Sequence, residues 1–179
     1  MTYYGAKDLA ESFRTVRKNT ILVAEDIPED KYRFRPANDV RTVEKLLTHI
    51  ALTSRFQLRI HSDKLTTLEG FNFPARMQEM AAEEAKQRTK AQVIELLRTE
   101  GEKWAALVEG CSDEFLGQTI LMPPGGAPPQ RTRFDMMLSV KEHEMHHRGQ
   151  LMLIERIVGI VPHLTRQVQE RMARMQART

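Results

Sequence analysis

Residues Ser139–Val158 read SVKEHEMHHRGQLMLIERIV, and the way this stretch repeats decides the class of the fold. Taken as a helix at roughly 100° per residue, Met136, Val140, His143, His147, Ile154 and Val158 fall within about 60° of one another. That is one apolar face of a long helix, running from about Arg133 to Ile160 and stopped by Pro162. Two histidines one turn apart lie on this core-facing stripe. His146 lies near its edge, and Gln150 borders it. Histidine is a mediocre helix former and an uncommon core residue, so the pair calls for a chemical reason.

The same period recurs upstream. Leu9, Phe13, Val16, Thr20, Val23 and Ile27 mark a first helix that Pro28 ends. A second starts near Thr42 with the stripe Leu46, His49, Thr53, Phe56 and Ile60. A third carries Val93, Leu97, Trp104, Leu107 and Val108, with Trp104 read as core. Between the second and third lies a long connector, HSDKLTTLEGFNFP, followed by the helix-prone but weakly apolar ARMQEMAAEEAKQ. The segment LMPPGGAPPQ, with four prolines and two glycines in ten residues, cannot be helix interior or central strand. No alternating strand pattern of useful length is visible. The expected fold is all-α, in its simplest form a four-helix bundle, with the long connector as a crossover between helices two and three. We expect a single domain over residues 1–165 and a basic helix end or tail over 166–179.

Composition narrows the function. The 179 residues hold 27 Lys and Arg against 24 Asp and Glu, a formal charge of +3 spread along the chain. So small and diffuse an excess does not point to nucleic acid. No apolar run is long enough to cross a membrane, and the N-terminal sequence does not resemble a signal peptide. Cys111 is the only cysteine, which rules out an internal disulfide and any cysteine-based zinc knuckle. The expected compartment is the cytoplasm.

Two imidazoles one turn apart on one face can reach a single divalent ion. Of the three other histidines, His163 follows Pro162 and is expected to be exposed, and His61 is expected at the frayed end of helix two. His49 lies within an apolar stripe, faces the core, and is the natural third ligand. Two readings stand at this point. Either His49, His143 and His147 share a metal, or they form a core cluster with Gln150 held by hydrogen bonds and water. The string His143-Glu144-Met145-His146-His147 formally contains the pattern of zinc proteases. However, Glu144 turns about 100° away from His143, onto the helix flank, and no sheet is visible beside it.

The blocks IPEDKYRFRPANDVRTVEKLLTHIA and, far downstream, HEMHHRGQL resemble the DinB-like family of damage-inducible proteins, from about residue 9 to 160. The resemblance implies an up-down-down-up four-helix bundle and a divalent metal held by His49, His143 and His147, with His146 not a ligand. It also implies frequent homodimers and, for some members, thiol-dependent S-transferase or isomerase chemistry using a low-molecular-weight thiol. Three neutral imidazoles leave a metal with open positions, as catalytic rather than structural sites do. Zinc and nickel both suit imidazole. The expected function is a metal-dependent enzyme, thiol-transferase-like or hydrolase-like, acting on a small molecule; the alternative is a non-enzymatic metal-binding stress protein. No catalytic base is identifiable. A second apolar stripe on the last helix, Phe134, Leu138, Met145 and Met152 with Gly149 beside it, leads us to expect a homodimer through that face.

Overall fold

The computed structural model describes residues 4–177. In chain order the elements are α1 (Ala6–Asp26), a 3-10 turn (Glu29–Lys31), α2 (Val43–Ser62), α3 (Phe73–Ala85), α4 (Lys90–Glu109), α5 (Asp113–Gly117), β1 (Thr119–Leu121), β2 (Gln130–Thr132), α6 (Arg133–Ile157) and α7 (His163–Gln176). The fold is mostly helical, with one small sheet. The four long helices are α1, α2, α4 and α6; α1 and α2 each pack against both α4 and α6.

Local chemistry sets the helix ends. Thr42, Thr89 and Thr132 each turn a hydroxyl back onto a free N–H of the first turn, capping α2, α4 and α6. At α4, Gln92 returns the bond to Thr89 N and completes a capping box. The expected stripe of α1 is buried at Leu9, Phe13, Val16, Thr20 and Val23. One apolar cluster gathers Val23, Leu47, Leu97 and Leu151; another gathers Phe13, Trp104, Met137 and Val140. Trp104 is core, as its stripe implied.

An ion pair lies inside this packing. Arg17 on α1 reaches Glu144 on α6 through Nε at 3.0 and 3.1 Å and through Nη2 at 2.9 Å. Its Nη1 donates to the Leu97 carbonyl at 2.6 Å. Both side chains are almost wholly buried. Glu144 is therefore not on the helix flank, as expected, but points into the core. The buried arc of α6 includes Val140, Glu144, Leu151 and Glu155, while His143 and His147 are half-buried at its margin.

Several other elements differ from expectation. The Pro/Gly segment is flanked by an antiparallel pair, Thr119 opposite Thr132 and Leu121 opposite Gln130, whose strands are too short to show alternation. The connector after α2 pairs with β1 through a bridge between Thr67 and Leu121. The weakly apolar segment forms α3, with no buried residue, packed on α2. His61 is not frayed: it is 1% exposed beneath Arg133, whose Nη1 lies 3.2 Å from its Nδ1. His163 is not exposed either, because α7 folds back beside α1 and places its Nε2 3.3 Å from Asn19 Oδ1. Of the second α6 stripe, Phe134, Leu138 and Met152 are half-buried against the chain's own core, and Met145 is exposed. Among the described residues no helix is long and apolar enough to cross a membrane.

Candidate metal centre

α2 and α6 lie side by side and bring His49, His143 and His147 together. Each offers one ring nitrogen, and these atoms all lie within 4.8 Å of one another. His143 Nε2 is 3.2 Å from His49 Nε2 and 3.1 Å from His147 Nε2. Nitrogen donors about 2.1 Å from one ion stand roughly 3.0 Å apart at adjacent corners of an octahedron and roughly 3.4 Å apart in a tetrahedron. The observed separations lie between the two.

The outer nitrogens decide the protonation. His49 Nδ1 is 2.7 Å from Glu84 Oε1, and a carboxylate only accepts, so the ring proton is on Nδ1. His147 Nδ1 is 2.8 Å from the Gln150 amide oxygen, which places its proton there too. Gln150 uses its amide N–H toward His146 Nε2 at 3.1 Å, which is consistent with that orientation. Both Nε2 atoms then carry lone pairs facing His143 Nε2, which has at most one proton to share between them. At least one close nitrogen pair has no proton of its own, and a cation between the rings removes that conflict. The donor set therefore fits a divalent metal.

Electrostatics point the same way. Burial lowers the pKa of His143 to about 4, with His147, His49, His146 and Arg41 adding to the effect. Burial also lowers His147, against the hydrogen bond its Nδ1 donates to Gln150. Both rings are neutral at ordinary pH, as ligands must be. Glu84 is pushed upward by burial, but its hydrogen bonds to His49 and Arg41 outweigh that and hold its carboxyl below the usual range.

A cavity of about 260 Å³ opens onto His49 and His143. Phe56 and Thr53 of α2 form one wall, Met77, Met80 and Ala81 of α3 the other, and Arg41 and Glu84 lie along it. A roomier neighbouring cavity of about 470 Å³ shares Phe56 and Met80 but reaches none of the three histidines. Cavity size therefore does not locate the chemistry here.

The structure brings together all three histidines singled out from the sequence. His146 stays exposed at the edge, its ring 4.9 Å from that of His147. Glu142 is exposed, and Glu144 is committed to Arg17. Glu84 and Arg41 were not visible in the sequence. Glu84 lies in a segment of weak apolar pattern, 35 positions from the ring it meets, and no local spacing links the two.

The profile of the DinB superfamily matches residues 12–151. The uncharacterized protein YjoA of Bacillus subtilis (strain 168) is 29% identical over 154 residues, covering 86% of this chain and 91% of that protein. The 2.30 Å crystal structure of the DinB-like protein YjoA from Bacillus subtilis superposes with a TM-score of 0.63 at 23% identity. It covers 84% of this chain and 92% of the other.

Proposed function

The chain belongs to the DinB superfamily, and on that premise we propose that His49, His143 and His147 hold one divalent ion, zinc or nickel, in a metal-dependent enzyme acting on a small molecule. The observation that carries this reading is the convergence of three Nε2 atoms with too few protons, beside an open, largely apolar cavity. When bound, an ion with three neutral ligands supplies an undiminished positive charge that ionises a water or thiol near neutral pH.

The chain's own residues do the rest. Phe56, Met77, Met80 and Ala81 keep the cavity wall apolar and favour a substrate with an apolar body. Among the described residues Glu84 is the only carboxylate lining that cavity, and it is engaged by His49 and Arg41, so none of them offers a free carboxylate base there. A low-molecular-weight thiol as cosubstrate suits such a site. Its proton is far easier to remove than that of water, so S-transfer is the favoured reaction and hydrolysis the lesser one. The long helices are read as an up-down-down-up bundle, the protein as a homodimer, and the compartment as the cytoplasm.

Elemental analysis of protein purified without an affinity tag, read beside a thiol-transfer assay, tests the proposal. Zinc or nickel near one ion per chain is expected, lost in His147→Ala with the helical signal intact. Activity should vanish on chelation and return with the ion. Full turnover in chelator-stripped protein would refute the enzyme reading. Stoichiometric metal with no transferase or hydrolase activity would favour the metal-binding stress protein instead.

A further inference from the structure

We propose that Glu84 is a positioning residue: it fixes the tautomer and rotation of His49 and ties the seating of α3 to the readiness of that ligand. The inference rests on the metal reading above and concerns a residue outside the histidine set.

The two outer ligand partners differ in origin. His147 is oriented by Gln150, three residues on in the same helix, so its partner is present whenever α6 forms. His49 is oriented by a residue on a separate helix. Glu84 Oε1 accepts from His49 Nδ1 at 2.7 Å, while Oε2 accepts from Arg41 Nε at 2.8 Å. Arg41 stands just before α2 and holds the carboxylate from its far side. The Glu84 side chain is 12% exposed and that of His49 13%, so water has little room to replace either.

α3 has no buried residue to hold it by packing alone. Its start rests on the ring cluster of Phe56, Phe71 and Phe73, with centroids 5.0 to 5.5 Å apart. Beyond its end, Arg88 N donates to Glu44 of α2 at 2.6 Å. Between these ties α3 forms one wall of the histidine cavity, and Glu84 joins it to a ligand ring. Displacing α3 removes the acceptor for His49 Nδ1–H and frees the ring to turn or to move its proton to Nε2, where it blocks coordination. By reciprocity, an ion on the three histidines holds α3 against α2.

The test uses the full chain, with Zn²⁺ as the probe in competition with a chromophoric chelator. Glu84→Ala is expected to weaken zinc binding by about 10- to 100-fold, the usual effect of losing such a partner. Glu84→Gln, whose amide oxygen can still accept the Nδ1 proton, is expected to recover part of that loss. Two further readouts separate positioning from simple support. The imidazole ¹⁵N shifts of metal-free wild type should place the His49 proton on Nδ1, and Glu84→Ala should shift them toward a mixture. Zinc should slow amide exchange in α3 of the wild type but not of Glu84→Ala. Wild-type zinc affinity in Glu84→Ala, or an unchanged His49 tautomer, overturns the positioning role while leaving the metal site standing. A wild-type chain that binds neither zinc nor nickel removes the metal reading, and this inference with it.

Discussion

Glu155 is wholly buried on α6, and neither of its carboxylate oxygens has a hydrogen-bond partner among the described residues. Burial, and then the nearby Asp26, raise its pKa from 4.5 to about 7, against the pull of Arg166 and Arg156. The folded chain keeps this proton at pH values where the unfolded chain has released it. Stability from this group is thus complete below about pH 4.5, falls as pH rises toward 7, and is lost above it. A shift of this size corresponds to about 3 kcal/mol. Glu155→Gln should unfold at a higher temperature than wild type at pH 8, by several degrees, and close to wild type at pH 5. Buried His61 and His143, whose lowered pKa values act in the opposite sense between pH 4 and 6.5, cancel in that comparison. Equal melting temperatures at pH 8 would show that Glu155 finds a partner when ionised. The residues that sequence could read share one property. His143 and His147 declare themselves through a spacing of four on an apolar stripe, which is local information. The roles of Glu144 and Glu155 depend on what α1 and α7 place opposite them, and nothing within α6 states that.

At the scale of elements, the long helices were legible because a 3.6-residue period sustained over five or more turns is hard to imitate. The three-residue strands and the five-residue α5 are shorter than any period that could identify them. α3 was legible as helix-prone, but its place beside the histidines was not, because its weak apolar face gives no docking direction. α4 raises a different question, since Gly101 sits in its middle, where alanine is favoured by about 1 kcal/mol. A Cβ there would lie 2.9 Å from Arg17 Cγ and Nη1 and 3.3 Å from Cδ. Arg17 has little freedom to yield, being held by Glu144 and by the Leu97 carbonyl. Gly101→Ala should therefore destabilise the fold by about 1–3 kcal/mol, the usual cost of overpacking, despite the gain in propensity. The midpoint of urea unfolding checks this. A raised midpoint would mean that Arg17 swings aside and that the Arg17–Glu144 pair is not a fixed part of the core.

At the scale of the whole molecule, exposed apolar side chains line up along one arc of α6 and one ridge of α7, while others such as Met77 and Leu121 stand apart from them. Met145, Leu153 and Ile157 are 45%, 60% and 52% exposed. With Gly149 they lie within about 120° on the helix wheel. On α7, Val168, Met172 and Met175 are 61%, 53% and 57% exposed, and lie within about 60° of one another. The stripe expected from sequence is here mostly turned inward at Phe134, Leu138 and Met152, and Met145 is its exposed member. A Cβ at Gly149 would meet nothing within 4 Å, so the middle of the α6 arc is open to a close approach by another backbone. α7 is exposed at every described position from Gln167 onward. Only the first turn of α7 packs on α1, and a helix held by so little packing is marginal in water, which favours cover by a second copy. A two-fold contact uses the same surface on both partners and closes after two, so it covers the arc without building a fibre. The expected state is a homodimer centred on Gly149 and Leu153. Leu153→Glu buries a charge at that centre and should yield a soluble monomer, with weaker association by at least about 30-fold, the effect of losing a central contact. Light scattering at tens of micromolar reads both proteins, and zinc affinity read alongside should be unchanged in the variant. A wild type that runs as a monomer at that concentration would leave the arc without a second copy and end the dimer reading. A dimer that survives Leu153→Glu would place the contact on another face.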